Sequence, residues 1–399
     1  MLRSAARLTL VGVGFAALAL GAEAQSARPS VTHHAKDAAW HKKGDVRVGA
    51  THDDNVYLLT TARKASLDAQ PSVGRYADMP GSTDLVTAIR AAGEAKGPGL
   101  GGRELTFGAD ARYEYYTTNT KRSNATVGLT ASQGVTSGGR LHLRGELTPT
   151  YFFRDYLADA VDANRDGVIQ SAERVYAPGT YSDAQLMVGY RQRLSSPSDG
   201  MVGVALDVQG GVQNRKYIKP FEGRSMHGPV GDVNMIVDLA NRVTADFGYE
   251  RASLSATTTP TVLLLNEPDF NRDFNGNGTT SDLRVRSVQN TDFSRVEQTA
   301  GIRLRAMLSP SFDARVSFAH RWRNFSSSQP YDTYNNTRHD RRDQIGLTVG
   351  KDLWERTRVE VGGITEAQKL SRTLRPTAAT GEVNDYSRNR LFVNWSYKL

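Results

Sequence analysis

What most constrains this chain is a strict two-residue rhythm of apolar and polar side chains. Residues 390–399 read RLFVNWSYKL. Leu391, Val393, Trp395, Tyr397 and Leu399 share one parity, and Arg390, Phe392, Asn394, Ser396 and Lys398 the other. Successive strand side chains point to opposite faces, so the stretch predicts a strand with one apolar, aromatic-ended face and one mostly polar face. A single strand of this kind suits a soluble sandwich as well as a barrel. The rhythm, however, recurs. Residues 104–115 set Leu105, Phe107, Ala109, Ala111, Tyr113 and Tyr115 against Glu104, Asp110, Arg112 and Glu114. Residues 311–323 set Phe312, Val316, Phe318 and Trp322 against Asp313, Arg315, Arg321 and Arg323.

Fourteen such segments are expected between residues 45 and 399, the first over 45–57 and the second over 84–94. Their connections alternate in length. Short ones are 136–139, 195–200, 240–241, 309–310 and 352–355; long ones are 58–83, 155–181, 218–228, 251–291, 324–340 and 371–389. Early on the alternation is weakest, because 95–102 is no shorter than 116–123. Short and long ends sorted to opposite rims predict a closed antiparallel transmembrane β-barrel with brief periplasmic turns and long extracellular loops. A sandwich has no reason to sort its loops so. In hydrocarbon every backbone N–H and C=O must be paired, so a spanning sheet has to close on itself. Aromatics near strand ends (Tyr113, Tyr115, Tyr151, Phe153, Trp322, Trp395 and Tyr397) suit the two interfacial girdles.

The N-terminus reads as a secretory signal over residues 1–24. Arg3 and Arg7 precede the apolar run LTLVGVGFAALALG, and Ala22-Glu23-Ala24 is a small-x-small cleavage site. Residues 25–44, polar and carrying His33, His34 and His41, are expected to form a flexible periplasmic leader before a barrel over 45–399. No later apolar run approaches the length of a membrane helix. The chain has no cysteine, which excludes disulfides and thiolate metal sites. A formal net charge of +8 could suggest nucleic acid, but the basic residues are dispersed along strands without a basic arm or recognition motif.

The inward parity is rich in arginine: Arg112, Arg144, Arg191, Arg303, Arg305, Arg315, Arg321 and Arg358, interleaved with Asp110, Glu114 and Asp246. Two readings stay open. The charges can neutralise one another as a lattice that keeps the barrel round, or they can make an electropositive lumen for anionic or heavily hydroxylated solutes. A fourteen-stranded barrel lies between side-chain-filled and openly porous ones, and infolded loops could plug it.

Two long loops carry calcium-type spacing. Asp162, Asn164, Asp166, Val168, Gln170 and Glu173 fall at positions 1, 3, 5, 7, 9 and 12 of a twelve-residue ion loop, with Gly167 at the sharp turn. The second set is Asp273, Asn275, Asn277, Thr279 and Asp282. Arg284 stands where its terminal carboxylate should be, so Asp282 would have to substitute. Ca2+ is therefore the expected cofactor. Of the strand histidines, His142 has no recognisable Ser or Asp motif and His320 lies on the lipid-facing parity, which argues against an enzyme.

Residues 390–399 resemble the closing strand of Gram-negative outer-membrane barrels, although the last residue there is usually Phe and here is Leu399. DDNVYL (53–58) followed by STDLVTAI (82–89) resembles the start of outer-membrane barrels found with exopolysaccharide biosynthesis and export systems. The resemblance implies an outer-membrane location, lipid and secretion machinery as partners, and passage of polysaccharide; it brings no catalytic residues. A channel, a calcium-stabilised adhesion barrel and an outer-membrane enzyme are the three classes left open.

Overall fold

The computed structural model describes residues 40–160, 174–195, 202–239, 242–256, 264–268, 283–285, 292–327, 335, 337–371 and 385–399. Sixteen strands follow in chain order: β1 (His41–Asp53), β2 (Asp84–Pro98), β3 (Glu104–Tyr116), β4 (Asn124–Gly134), β5 (Gly139–Ala160), β6 (Arg174–Ser195), β7 (Val202–Tyr217), β8 (Met226–Leu239), β9 (Val243–Ala256), β10 (Leu264–Pro268), β11 (Leu283–Val285), β12 (Arg295–Ser309), β13 (Phe312–Phe325), β14 (His339–Trp354), β15 (Thr357–Ser371) and β16 (Tyr386–Lys398). Fourteen of them form one closed antiparallel barrel, each paired with its sequence neighbours, except that β9 pairs with β12. The remaining two, β10 and β11, pair with each other inside the connection expected to be plain loop. The cylinder closes where β16 meets β1, with Lys398 opposite Asp45 and the Leu399 amide donating to the Gly44 carbonyl at 2.8 Å.

The two-residue rhythm decides the two faces. Val48, Ile89, Phe107, Leu143, Val188, Phe247, Phe318, Leu347, Val361 and Trp395 stay exposed, because they point outward from a closed sheet. Such a belt is stable only in lipid, and a closed ladder is what lipid permits. No helix among the described residues is long and apolar enough to cross a membrane. The chain is thus a barrel of the bacterial outer-membrane kind.

Short turns gather on one rim, at 99–103, 135–138, 310–311 and 355–356, and longer connections on the other. The early ambiguity disappears because β2 runs on to Pro98, leaving a turn shorter than 117–123. At the start, strand structure begins at His41 rather than at residue 45, since 41–44 pair with 93–96 of β2.

The connection 54–83 is a folded unit. Thr60 caps helix α1 (Thr61–Ala69) by accepting from the Arg63 amide at 3.3 Å, and a turn of 3₁₀ helix follows at Gly74–Tyr76. Val56, Tyr57, Leu59, Leu67, Tyr76 and Met79 pack against Val86 of β2, Tyr116 of β3 and Phe152 of β5. The loop therefore caps the long-loop mouth over β2–β6.

Candidate functional site

The polar parity of the strands builds the lumen, and its two halves differ. The half formed by β12–β16 and β1 is dominated by arginine. Most of its carboxylates are buried, and four of them, Asp313, Glu360, Glu297 and Asp340, are each shared among two or three guanidinium groups. Asp313, 4 % exposed, meets Arg305 at 2.9 Å, Arg315 at 3.2 Å and Arg358. Glu360 meets Arg315 and Arg358 at 3.0 Å and Arg47 at 3.7 Å. Glu297 is ringed by Arg295, Arg321 and Arg323. Asp340 takes Arg338 at 2.7 Å and Arg323 at 3.8 Å. Glu366, fully buried, is held by Arg342 and accepts from the Tyr386 hydroxyl at 2.6 Å. Guanidinium groups exceed the carboxylates that serve them, so this wall carries a positive excess.

Some ion pairs in that wall span three strands, Arg358 of β15 with Asp313 of β13 among them. Asp313 on β13 and Glu360 on β15 both face Gly350 on the intervening β14. A Cβ on Gly350 would lie 2.0 Å from the Arg358 guanidinium, so the missing side chain leaves the gap through which Arg358 reaches Asp313.

The opposite half, β3–β9, is acidic. Arg112 pairs with Glu114, Arg144 with Glu146 at 2.7 Å, and Arg90 with Asp110 at 3.5 Å. Asp207 faces His142 at 3.4 Å, and the register sets Arg191 opposite Asp207. Asp232, Asp238 and Glu250, by contrast, have no cation at ion-pair distance among the described residues: Asp232 accepts from Asn234 at 2.6 Å and Asp238 from Thr244 at 2.8 Å. A cationic wall facing an acidic one sets a transverse field across the lumen. Where the walls meet, Thr244, Asp246, Arg303, Arg305, Arg315, Ser317 and Thr348 line a recess of about 500 Å³. Arg303 spans the junction to Asp246 at 3.5 Å.

Above this zone the mouth is packed with apolar and aromatic groups. The DDNVYL stretch pins the cap: Asp53 takes Arg388 of β16, and the Asn55 side chain donates to the carbonyls of Leu59 and Ser387, both at 2.8 Å. The Tyr57 hydroxyl donates to Asn119 at 2.9 Å, which in turn donates to Asp84 at 2.8 Å. Burial pushes the Tyr57 hydroxyl pKa well above the usual tyrosine range. Arg122, 2 % exposed, has no carboxylate partner among the described residues; its guanidinium lies 5.2–5.7 Å from the ring centroids of Tyr57, Tyr116, Tyr151 and Phe153 and donates to the Phe153 carbonyl at 2.6 Å. A second cluster of Met187, Tyr217, Phe221, Met226, Val230, Ala252 and Leu254 continues the packing, with Arg224 4.0 Å from the Tyr156 ring centroid.

Tyr151 and Phe153 thus leave the lipid-facing girdle expected for them. The register of β5 against β6 slips between Thr148 and Tyr151 and again between Phe152 and Asp155, and each extra residue reverses the parity. The upper part of β5 stands beyond its last pair with β4, Val127 with Leu147. There Asp155 accepts from the Asp78 amide of the cap at 2.8 Å, and loss of solvent pushes its carboxyl pKa up to about 6. His320 lies on the outer face against Asp343. Both calcium-type sets, Asp162 to Glu173 and Asp273 to Asp282, lie outside the described residues, as do the signal and most of the leader.

Strand periodicity does not reveal the cap, because 58–83 lacks that rhythm. Its signal is the buried-type set Leu59, Leu67, Tyr76 and Met79 in a stretch otherwise polar.

No protein-family model and no curated sequence matches the chain. Similar solved structures include a loop-deleted form of the Vibrio cholerae outer membrane protein OmpT, with 9 % identity over 91 % of this chain and 99 % of that one (TM-score 0.40). An anion-selective porin from Comamonas acidovorans shares 10 % identity over 91 % and 100 % (TM-score 0.37). A Pseudomonas aeruginosa FadL homologue shares 13 % over 90 % of each chain (TM-score 0.41). At such values nothing about activity transfers from them.

Proposed function

We propose that this barrel is an outer-membrane channel for polar, anionic solutes, with hydroxylated polymers such as acidic polysaccharide among them. The observation that carries this is the arginine-rich wall, where shared carboxylates leave a positive excess beside a recess lined with hydroxyls. Forked guanidinium groups suit carboxylate and phosphate, and Thr244, Ser317 and Thr348 offer hydrogen bonds to sugar hydroxyls. Low identity to an anion-selective porin is in keeping with the reading but does not carry it. Planar-bilayer recording tests it. Discrete conductance steps with anion preference across a salt gradient are expected, and a barrel silent at every voltage would end the channel reading.

A second reading, a surface-structural barrel, is favoured by the packed mouth. In either case the loop from Asp162 to Glu173 is proposed to take Ca2+ at the outer rim. Added Ca2+ should raise the Tm of purified protein and a chelator should reverse the rise; an unchanged Tm removes the calcium proposal.

A further inference from the structure

The outer wall carries a basic row that neither the lumen nor the cap uses. Cross-strand register places Arg251 of β9 opposite Gln298 of β12, Gln298 opposite Trp322 of β13, Trp322 opposite Arg341 of β14, and Arg341 opposite Lys369 of β15. The five form one unbroken line across five adjacent strands. They point outward, since residues of the opposite parity on the same strands, Ala252, Glu297, Asp340 and Glu366, are buried inside. Arg251, Arg341 and Lys369 are exposed and have no acidic partner among the described residues. The nearby outward acid, Asp343, is held by His320, whose ring packs edge-on against Trp322 at 4.2 Å.

Position says what these cations face. Toward the short-turn rim the same strands show lipid-facing Phe247, Leu304, Phe318, Ile345 and Val361, beyond intervening outward residues that include Tyr249, Ile302, His320, Asp343 and Thr365. The row therefore lies on the long-loop side of the hydrocarbon belt, and it climbs through the headgroup layer because barrel strands lean by about 40°. The corresponding outward positions of β1–β3 are His52, Leu85, Tyr113 and Tyr115, with no Lys or Arg. On β7 a lone outward cation, Lys216, stands near the same rim, whereas the three-cation row runs over β9 and β12–β15.

We infer that this row is a binding site for a phosphate-bearing lipid of the outer leaflet. Arg251, Arg341 and Lys369 would pair with headgroup phosphates, Gln298 would hydrogen-bond to the headgroup, and Trp322 would lie along the first acyl carbons. Interfacial cations of this kind attract anionic headgroups, and a tryptophan ring suits the boundary between chain and headgroup.

The test uses the full-length barrel in detergent, native mass spectrometry, and bis-phosphorylated lipid A against the same lipid after phosphatase treatment. The wild type is expected to retain the phosphorylated lipid and to bind the dephosphorylated one far more weakly. The triple variant Arg251→Gln, Arg341→Gln, Lys369→Gln should bind the phosphorylated lipid on the order of a hundredfold more weakly, because each of the three cations supplies roughly one ion pair to the headgroup. Lys351→Gln, on the outer face near the opposite rim, should change nothing. Equal retention of the two lipids by the wild type overturns the site without any variant. So does an equal loss with Lys351→Gln, which would mean general charge attraction. Heat-modifiable migration on gels confirms that each variant is folded.

Discussion

Two regions of one cylinder bury arginine by opposite means. In the mid-barrel wall Arg358 is held by Asp313, Asp352 and Glu360. At the mouth Arg122 is held by four aromatic rings and two oxygens, with no carboxylate among the described residues. The first arrangement borders water and shares carboxylates across strands, so charge remains to act on a solute. The second excludes water and uses ring faces, whose quadrupoles attract a cation without adding an anion. Conduction needs a wetted charge; sealing a cap needs a dry one.

The largest effect should come from removing a shared anion. Asp313→Ala leaves Arg305, Arg315 and Arg358 facing one another around an empty centre. Loss of one partner from a buried ion network costs about 3–5 kcal/mol, read as a lower urea midpoint for the whole barrel. Arg122→Leu comes next. It removes cation–π interactions and two hydrogen bonds at a cost of about 2–4 kcal/mol, but it should loosen the cap and spare the barrel. Limited proteolysis within 54–83, with heat-modifiable migration unchanged, is the expected pattern. Global unfolding by Arg122→Leu would erase the distinction between the two regions.

A smaller effect is set by pH. Asp155 has its folded-state pKa raised to about 6, so the native cap binds the proton more tightly than the unfolded chain. This contribution is fully present below the unfolded value near 4 and is lost as pH rises through 6. Cap protection from protease should therefore be greater at pH 5 than at pH 7.5, by about 1–2 kcal/mol, and Asp155→Asn should flatten the dependence. The smallest change in stability belongs to Arg303→Gln: its pair with Asp246 is half-exposed and worth about 0–1 kcal/mol. Its reversal potential should nevertheless move toward cations. An unmoved potential in a conducting variant would remove the recess from the selectivity path.

The fold is legible because a lipid-facing barrel has to repeat one rhythm, and Leu105 to Tyr115 or Phe312 to Trp322 announce it without help from the rest of the chain. Inward arginines follow from the same parity. The cap does not, because Asn55 finds Ser387 more than three hundred residues away, and no local pattern encodes that meeting. Parity misplaces Tyr151 and Phe153 for a related reason: β5 slips in register beyond Thr148, and each inserted residue reverses the faces that follow until the next slip. Nor does strand parity reveal which carboxylates are shared, since Asp313 and Arg358 sit on strands that never touch.

The bare position at Gly350 has a mechanical consequence. Backbone ladders brace a cylinder only between adjoining staves, so its cross-section can flatten by small rotations at each seam. An arginine tied over the top of a third stave acts as a hoop there, stiffening that arc against squeezing while the remainder stays free to breathe. Fitting even one methyl group at 350 would push Arg358 out of this hoop, leaving Arg315 and Glu360 to brace the same arc and every rung of the ladder intact.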